Sequence, residues 1–268
     1  MEKVNPYNQN NKLVTENDII NIMETLNIND FKINNILLYQ RSFVHTSYCS
    51  ALYKDKEGQP LFNNIDDSLD LQEISYETME FLGDSILSSI ISSYLYERFY
   101  TIYRQNEGFL TYLKNRIVCC EGLSYLSNKL GFNKYLVISK HIEDNCDGRN
   151  NKNILEDVFE SFLGAIYLDN DYETTKNIIL TIVEKYIDFT DFITKNNNYK
   201  EQIIKYLQHN YKENPQFKVY INENDNKIYN CNMIFKNKIL SRGTGESKKK
   251  SEQNSAKNGL IHFNVLNE

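Results

Sequence analysis

Two short acidic segments constrain the fold and chemistry of this chain more than any other feature. They read YETMEFLGDSIL at 76–87 and EDVFESFLGAIYLD at 156–169. Each places carboxylates at helical spacing inside an apolar run, so that each set shares a stripe of about 60° on one helix face. These carboxylates are Glu77, Glu80 and Asp84 in the first segment and Asp157 and Glu160 in the second.

Apolar residues around the carboxylates predict that both helices pack into a core. The neighbours concerned are Phe81, Leu82, Ile86, Phe159, Phe162 and Leu163. Each segment also contains one glycine, Gly83 or Gly164, and a glycine inside a helix costs about 1 kcal/mol relative to alanine. Such a cost indicates the close approach of another helix or stretch of backbone.

Acidic residues at this spacing usually mark a solvated helix face, and that interpretation competes with a functional one. The pattern occurs twice here, each time followed by Leu-Gly and further apolar residues. Carboxylates held at the edge of a core, away from lysines, repel each other and need a counter-ion. The repetition therefore favours a site for a hard divalent cation with oxygen ligands.

Three ordered motifs resemble those of the ribonuclease III family. The segment 76–87 is similar to that family's signature N-E-R-L-E-F-L-G-D-[AS]-[VI]-L, and 157–169 is similar to its second acidic motif, D-x-x-E-A-[FL]-x-G-A-[LI]-[YF]-[LI]-D. Upstream, LLYQRSFVHTSY at 37–48 resembles L-L-x-x-A-[LF]-T-H-x-S-Y. The resemblance implies a mainly α protein with an all-α endonuclease domain, which we place at 15–193.

The remainder of the chain predicts a small α+β domain at 199–266, after a short polar linker at 194–198. A helical segment at 199–211 precedes three alternating segments at 216–223, 227–235 and 238–245, and a final helix follows. This α-β-β-β-α order resembles a double-stranded-RNA-binding domain. The segment GTGESKKK at 243–250 is similar to that domain's G-x-G-x-S-K-K-x.

Net charge is distributed unevenly between these two regions. Residues 199–268 contain 12 Lys and Arg against 7 Asp and Glu, whereas residues 1–198 contain 18 against 29. An acidic body joined to a basic domain is typical of an enzyme that recruits a polyanion with one module and cuts it with another. The alternative, that the acidic charges only keep the first region in solution, stays open.

The ribonuclease III resemblance implies a site and a reaction. Glu80, Asp84, Asp157 and Glu160 match the family's metal-ligating acids, and Glu77 matches a supporting acid. Two Mg²⁺ ions, with Mn²⁺ able to substitute, would then serve hydrolysis of both strands of a duplex RNA. The products implied are duplexes with 5′-phosphate and 3′-hydroxyl ends and short 3′ overhangs.

The competing hypothesis is a non-catalytic protein that sequesters double-stranded RNA or serves as a ribosome-associated scaffold. Substituted acids would mark that role, and the four ligand positions are intact. One departure is Thr78, where the family often has Arg, so that a nearby salt bridge is expected to be missing.

A single copy of the acidic motifs implies that the chain forms a homodimer in order to cut both strands. Phe81 is the candidate interface residue by resemblance, and ordinary core packing is its alternative role. His45 invites assignment as a general base, but the resemblance favours a role in supporting the fold.

The second domain supplies the candidate RNA-binding residues. Ser247 is predicted to cap the last helix, whose N-terminus attracts phosphate. The basic candidates are Lys200, Lys205, Lys227, Lys248, Lys249 and Lys250. Lys205 stands where the family usually has Glu, and Asn224-x-x-Lys227 replaces the usual G-x-x-H, so binding is expected to be unusually salt-sensitive.

Three further predictions concern segments outside the motifs. Residues 1–14 are expected to be disordered, and about 50–75 to form a surface insertion. Five cysteines without C-x-x-C pairing indicate reduced thiols and argue against structural zinc. No apolar run is long enough for a membrane span, and the start does not resemble a signal peptide, so we expect a cytoplasmic location, with the nucleus left open, and neither secretion nor membrane attachment.

Overall fold

The structure, a computed structural model, describes residues 4–65, 67–194, 198–222 and 225–266. Its packing divides the chain into two compact units, with the boundary between Phe192 and Ile193. The linker predicted at 194–198 falls mainly on residues 195–197, which lie outside the described residues.

Helices build the first unit. They are α1 (Glu16–Thr25), α2 (Ile36–Arg41), α3 (Glu77–Leu95), α4 (Glu107–Ile117), α5 (Cys120–Lys129), α6 (Lys140–Cys146), α7 (Lys152–Asp169) and α8 (Tyr172–Tyr186), and α9 (Phe189–Thr194) crosses the boundary. A π-helical turn at Tyr96–Thr101 extends α3. Between residues 4 and 192, apart from residue 66, extended pairing is limited to isolated bridges, which confirms the predicted helical domain.

The starts of α3 and α7 are fixed by hydrogen bonds. Asn151 caps α7, because its side chain accepts a hydrogen bond from the backbone N–H of Asn153 at 3.0 Å. No side chain caps α3. Instead, the backbone N–H of Tyr76 donates to the carbonyl oxygen of Val44 at 2.9 Å, which ties the start of α3 to the segment after α2.

The apolar faces of α3 and α7 form the centre of the core. Their buried residues include Ile86, Leu87, Ile90, Phe159, Phe162 and Leu163. The prediction that the apolar neighbours of the acids are buried is wrong for Phe81, whose side chain is 78 % exposed. Two residues correspond to about 200° of helical rotation, so Phe81 points away from the side of α3 that buries Met79 and Gly83.

Residues 4–14 are packed against the first unit, so the predicted disorder of 1–14 is wrong for these residues. Asn8 and Asn11 are only 1 % and 4 % exposed, and both donate to the carbonyl oxygen of Ile138. An asparagine-rich composition resembles that of disordered segments, but these amides satisfy backbone groups that lie far away in the sequence. Residues 1–3 lie outside the described residues.

The segment predicted as an insertion, 50–75, is anchored at both ends and exposed in its middle. Tyr48 donates from its hydroxyl to the carbonyl oxygen of Leu69 at 2.7 Å, and Cys49 forms a bridge with Gln72. A small second core next to these contacts contains Val44, Tyr48, Cys49 and Val137, with Leu13, Leu69 and Leu71 packed against it. Leu61, near the middle of the segment, is 42 % exposed.

The second unit has the predicted α-β-β-β-α order. Its elements are α10 (Tyr199–Tyr211), β1 (Gln216–Asn222), β2 (Asp225–Phe235), β3 (Lys238–Gly245) and α11 (Lys248–His262). The strands form one antiparallel sheet in the order β1-β2-β3. The core between sheet and helices is formed by Ile203, Leu207, Met233, Phe235, Ala256 and Leu260.

Two observations concern the cysteines and the helices of the whole chain. The five cysteines are free thiols, of which Cys49 and Cys231 are buried and Cys146 is exposed. Among the residues that the structure describes, no helix combines the length and apolar character needed to cross a membrane.

Candidate active site and RNA interface

Helices α3 and α7 cross in direct backbone contact at two glycines. A Cβ atom on Gly83 would lie 1.8 Å from the carbonyl oxygen of Glu160, and one on Gly164 would lie 2.4 Å from the carbonyl oxygen of Met79. Both distances are far shorter than van der Waals contact, so no side chain fits at either position. The predicted close approach at the two glycines is thereby confirmed.

This crossing brings the two acidic segments together. Glu160 is buried, with 8 % of its surface exposed, whereas Glu80 and Asp157 are half-buried and Asp84 and Glu77 are exposed. The charges of Asp84, Asp157 and Glu77 all act on Glu80. The carboxylates predicted from the sequence therefore lie close enough together for their charges to interact.

Burial and mutual repulsion raise the pKa values of the carboxylates at the crossing. Burial, followed by the charge of Asp157, raises the pKa of Glu80 to about 7. Burial, followed by the charges of Asp84 and Glu156, raises the pKa of Glu160 to about 8. The pKa of Asp157 is also raised, chiefly by burial. These shifts mean that the cluster resists full ionisation unless a positive charge accompanies it.

The cluster has the donor chemistry of a divalent-cation site. Within the described ranges, none of the ion pairs includes Glu80, Asp84, Asp157 or Glu160. No three His, Cys, Asp or Glu side chains in those ranges converge closely enough to form a ready-made metal cage. The oxygen atoms of these carboxylates suit a hard cation such as Mg²⁺.

Glu156 is a candidate that the sequence analysis missed. It is half-buried, and its charge helps to raise the pKa values of Glu80, Asp157 and Glu160. It lies about 100° around α7 from Asp157 but only about 40° from Glu160, at i,i+4, whereas the resembled motif begins at Asp157 and does not include it. The signal that could have found it is the doubled acid in EDVFE.

Tyr76 contacts one of the acids directly, and His45 packs against Tyr76. The Tyr76 hydroxyl donates to Asp157 Oδ2 at 2.9 Å and opposes the rise in the pKa of that carboxyl. The His45 ring packs edge-on against Tyr76, with centroids 5.9 Å apart, and its Nδ1 accepts from the backbone N–H of Ser47 at 3.1 Å. Burial lowers the pKa of His45. A neutral ring that accepts locally and packs on Tyr76 agrees with the supporting role favoured from the sequence.

An arginine from another helix occupies the place next to Thr78. Arg41, the last residue of α2, donates from its Nε to the carbonyl oxygen of Ser75 at 3.0 Å and from Nη2 to the Thr78 hydroxyl. A guanidinium group from a residue distant in sequence therefore contacts the start of α3 beside Thr78.

Asp169, the last acid of the second motif, forms hydrogen bonds that hold the fold together. Its carboxylate accepts from the backbone N–H groups of Asn34 and Asn35 at 2.9 and 2.7 Å and from the Tyr39 hydroxyl at 2.9 Å. It is buried and fixes the start of α2 against the end of α7. This contact was not predicted from the sequence.

In the second unit, the start of α11 has the predicted form. The Ser247 side chain caps the helix by accepting from the Lys250 N–H at 3.1 Å, which confirms the predicted cap. A Cβ on Gly243 would lie 2.1 Å from the backbone nitrogen of Ser255. The glycine therefore allows β3 to pack directly on α11, with Lys248 and Lys249 exposed at the helix N-terminus.

The other candidate lysines have different surroundings. Lys200 is half-buried, with Nζ 2.6 Å from Glu252 and 4.9 Å from the centre of the Phe217 ring, so contacts within the unit hold it. Lys205 forms an exposed ion pair with Glu201 at 2.5 Å. Lys227 is exposed on β2. Residue 224, at the other end of the motif Asn224-x-x-Lys227, lies outside the described residues.

Two family models match the chain, one in each region. The model described as "Ribonuclease-III-like" matches residues 35–186, more than half of the chain. The model described as "Double-stranded RNA binding motif" matches residues 199–262.

Two known relatives agree with these matches. The mimivirus protein named "Probable ribonuclease 3" (Acanthamoeba polyphaga mimivirus) is 31% identical over 97% of this chain, which spans about half of that relative, 47%. Ribonuclease 3 of Borreliella burgdorferi is 30% identical over 84% of this chain and 86% of its own length. The solved nuclease domain of ribonuclease III from Campylobacter jejuni aligns at a TM-score of 0.48 and 24% identity, covering 62% of this chain and 96% of that domain.

The matches cover the acidic crossing as well as the basic unit. Members of the matching family generally use a divalent metal ion, which agrees with the donor chemistry of the cluster. The chain belongs to the ribonuclease III family of endoribonucleases and carries a double-stranded-RNA-binding domain after its nuclease domain.

Proposed function

We propose that this chain hydrolyses double-stranded RNA at the cluster formed by Glu80, Asp84, Asp157 and Glu160. The observation that carries the proposal is the raised pKa of Glu80 and Glu160, to about 7 and about 8, among acids at a backbone-to-backbone helix crossing. Repulsion of this kind is relieved most directly by Mg²⁺, for which Mn²⁺ can substitute.

In this proposal, each acidic side chain has a defined task. Glu80, Asp84, Asp157 and Glu160 would hold two Mg²⁺ ions, while Glu77, exposed at the start of α3, positions the substrate. When bound, such ions lower the pKa of an attacking water and neutralise charge on the leaving 3′ oxygen. The expected products are duplexes with 5′-phosphate and 3′-hydroxyl ends and short 3′ overhangs, which end-labelling of the fragments would identify.

The second unit would recruit the substrate. Its capped helix N-terminus with Lys248, Lys249 and Lys250 suits the phosphates of an A-form duplex, which such domains recognise by shape. We expect Lys205 and Lys227 to add electrostatic affinity, and Lys200 to contribute less because it is held by Glu252. A cytoplasmic location remains a prediction from the sequence.

Cutting both strands would require two copies of the site, and we propose a homodimer. The 78 % exposure of Phe81 removes the alternative that it packs in the core and leaves it available for a partner. We expect Phe81→Arg to shift the chain from dimer to monomer in sedimentation velocity, with Leu37→Arg, at another exposed apolar site, as the control. An unchanged mass for Phe81→Arg would remove this residue from the interface.

Glu160→Gln tests the catalytic proposal. With labelled double-stranded RNA and Mg²⁺, we expect the cleavage rate to fall by more than about 100-fold. Replacing a residue that only hydrogen-bonds to a metal ligand already lowers activity by about 10- to 100-fold. RNA binding should stay at the wild-type level, since the second unit is unaltered. Glu24→Gln, an exposed residue on α1, is the matched control and should cut normally.

One observation favours the non-catalytic alternative: no three potential ligands converge within the described residues. If the unaltered chain binds double-stranded RNA but cuts it in neither Mg²⁺ nor Mn²⁺, a sequestering or scaffolding role is the better interpretation. RNAs crosslinked in cells to the Glu160→Gln variant would identify the natural substrate.

A further inference from the structure

We infer that residues 4–14, here called the strap, position helix α7 and through it the carboxylates of Asp157 and Glu160. The inference rests on the proposed catalytic role of those two acids. It assigns a function in the active site to a segment that lies outside the family match at 35–186.

The strap forms hydrogen bonds, mostly through side-chain amides, with backbone groups between α5 and the start of α6. The side-chain amide of Asn11 donates to the carbonyl oxygen of Ile138 at 2.9 Å and accepts from its N–H at 3.2 Å. Asn8 donates to the same carbonyl oxygen at 3.1 Å, and the carbonyl oxygen of Pro6 accepts from the Lys140 N–H at 3.1 Å. Both asparagines are almost completely buried, so water cannot replace these bonds at low cost.

Arg149 connects the strap to the turn that precedes α7. Its Nη2 donates to the carbonyl oxygen of Asn10 at 3.3 Å and to Asn11 Oδ1 at 3.2 Å. Its Nη1 donates to the carbonyl oxygen of Leu136 at 3.0 Å, and its Nε lies 3.2 Å from Glu143 Oε1. A single planar guanidinium group therefore joins three separate stretches of chain.

The carboxylate of Glu143 completes this connection. Burial alone would raise its pKa, but hydrogen bonds from Arg149, Asn8 and Asn10 lower the pKa to about 2. Glu143 is therefore ionised throughout the pH range in which RNA cleavage is measured. The ion pair and the strap contacts stay intact across that range.

Arg149 acts on α7 through a tight turn. It lies within the turn Gly148–Asn150, and the next residue, Asn151, is the N-cap of α7. A Cβ on Gly148 would lie 2.8 Å from Cδ1 of Ile138, the residue whose backbone the strap holds. The strap and the turn thus fix the same point, and Asp157 follows within the second turn of the helix.

A rigid helix transmits an error at its start to every residue that it carries. A misplacement of about 1 Å can lower catalysis by about 100-fold even when the altered residue is distant from the chemistry. Since the strap contacts given above are all with residues of the first unit, its loss should change the turnover number and leave RNA affinity unaltered. A segment that served only to stabilise the fold would change neither below the unfolding temperature.

The test compares the full chain with a chain that lacks residues 1–11 and with the double variant Asn8→Ala/Asn11→Ala. Lys12→Ala, an exposed strap residue, is the control. Well below the unfolding temperature of each variant, we expect kcat to fall by about 10-fold or more. We also expect KM to stay near the wild-type value, the Mg²⁺ concentration for half-maximal activity to rise, and hydrogen exchange across 152–160 to become faster. A synthetic peptide of residues 1–11, added in trans to the shortened chain, should restore all three properties.

Arg149→Lys provides a second variant in case the shortened chain does not fold. It keeps the charge opposite Glu143 but lacks the fork that reaches three stretches of chain, so it should show the same loss of kcat in milder form. Lower unfolding temperatures with unchanged kcat, Mg²⁺ dependence and exchange across 152–160 would overturn the inference. If the unaltered chain itself does not cut RNA, the proposed function fails, and exchange across 152–160 alone then decides whether the strap holds α7.

Discussion

At the scale of single residues, Glu160 combines two roles in one place. Its backbone carbonyl oxygen forms the contact surface for Gly83, and its side chain is the most buried of the five predicted acids. The packing of the helices therefore holds the backbone of this residue against α3, while burial raises the pKa of its carboxyl group. Residues with strongly shifted pKa values often mark functional sites, and Glu160 fits that pattern.

The pKa of Glu160 predicts how metal-free stability depends on pH. Because the folded-state pKa is about 8 and the ordinary value is 4.5, the folded chain binds the proton more tightly than the unfolded chain. The contribution of Glu160 to stability is therefore fully present below about pH 4.5 and is lost as the pH rises through about 8. Glu160→Gln removes this loss, so in EDTA its melting temperature should exceed that of the wild type by more at pH 9 than at pH 6. An equal difference at both pH values, or the same gain in Glu24→Gln, would contradict the pKa assignment.

At the scale of secondary-structure elements, the α3–α7 crossing shows what sequence patterns can predict. Gly83 and Gly164 lower the stability of their helices, and nothing in the local sequence offsets this loss. The two glycines therefore correctly indicated close contact with another element. The strap shows the opposite case. Asn8 and Asn11 lie in a composition typical of disorder, and only contact with Ile138, more than a hundred residues away, reveals their role. Local propensity carries no information about such distant hydrogen bonds.

Gly83→Ala tests the crossing. Alanine would gain about 1 kcal/mol of helix propensity, but its Cβ would collide with the backbone of Glu160. We expect a net loss of about 2 kcal/mol or more in the free energy of unfolding, measured by urea denaturation. Gly108→Ala on α4 is the control, because only Asn106 Oδ1 lies near its Cβ position, at 3.5 Å. That control should be neutral or stabilising by up to about 1 kcal/mol, and equal losses in both variants would argue against the crossing.

At the scale of the whole molecule, the proposed function assigns cleavage and RNA binding to two regions of opposite net charge. In the proposed function, the negative first region would repel RNA except where a cation is bound, and the positive second region would attract RNA without taking part in the chemistry. The sequence predicted both units, because each carries its own periodicity and motif. It says less about individual lysines. Lys200 pairs with Glu252, a contact that only the folded unit creates, whereas the pair of Lys205 with Glu201 follows from i,i+4 spacing within α10.

The division of labour predicts how RNA binding depends on salt. Each lysine that neutralises one phosphate contributes about 1 to the slope of log affinity against log salt. Replacing Lys248, Lys249 and Lys250 by alanine should therefore reduce the slope by about 3, measured by fluorescence anisotropy with a labelled duplex. Lys238→Ala, at the end of β3 that lies farthest along the chain from the N-terminus of α11, should change the slope little. A slope that is shallow in the wild type would contradict the predicted salt sensitivity.

Helix α1 has a consequence for where the nuclease unit begins as a folding unit. The family match starts at residue 35, but Ile19, Ile22 and Met23 of α1 are buried in the same core as the apolar faces of α3 and α7. The family match therefore begins inside the sequence that forms the hydrophobic core, and the boundary of the match is not a boundary of cooperative unfolding. A protein shortened to residue 35 would leave that apolar surface open to water, and we expect it to self-associate through the surface that α1 normally covers.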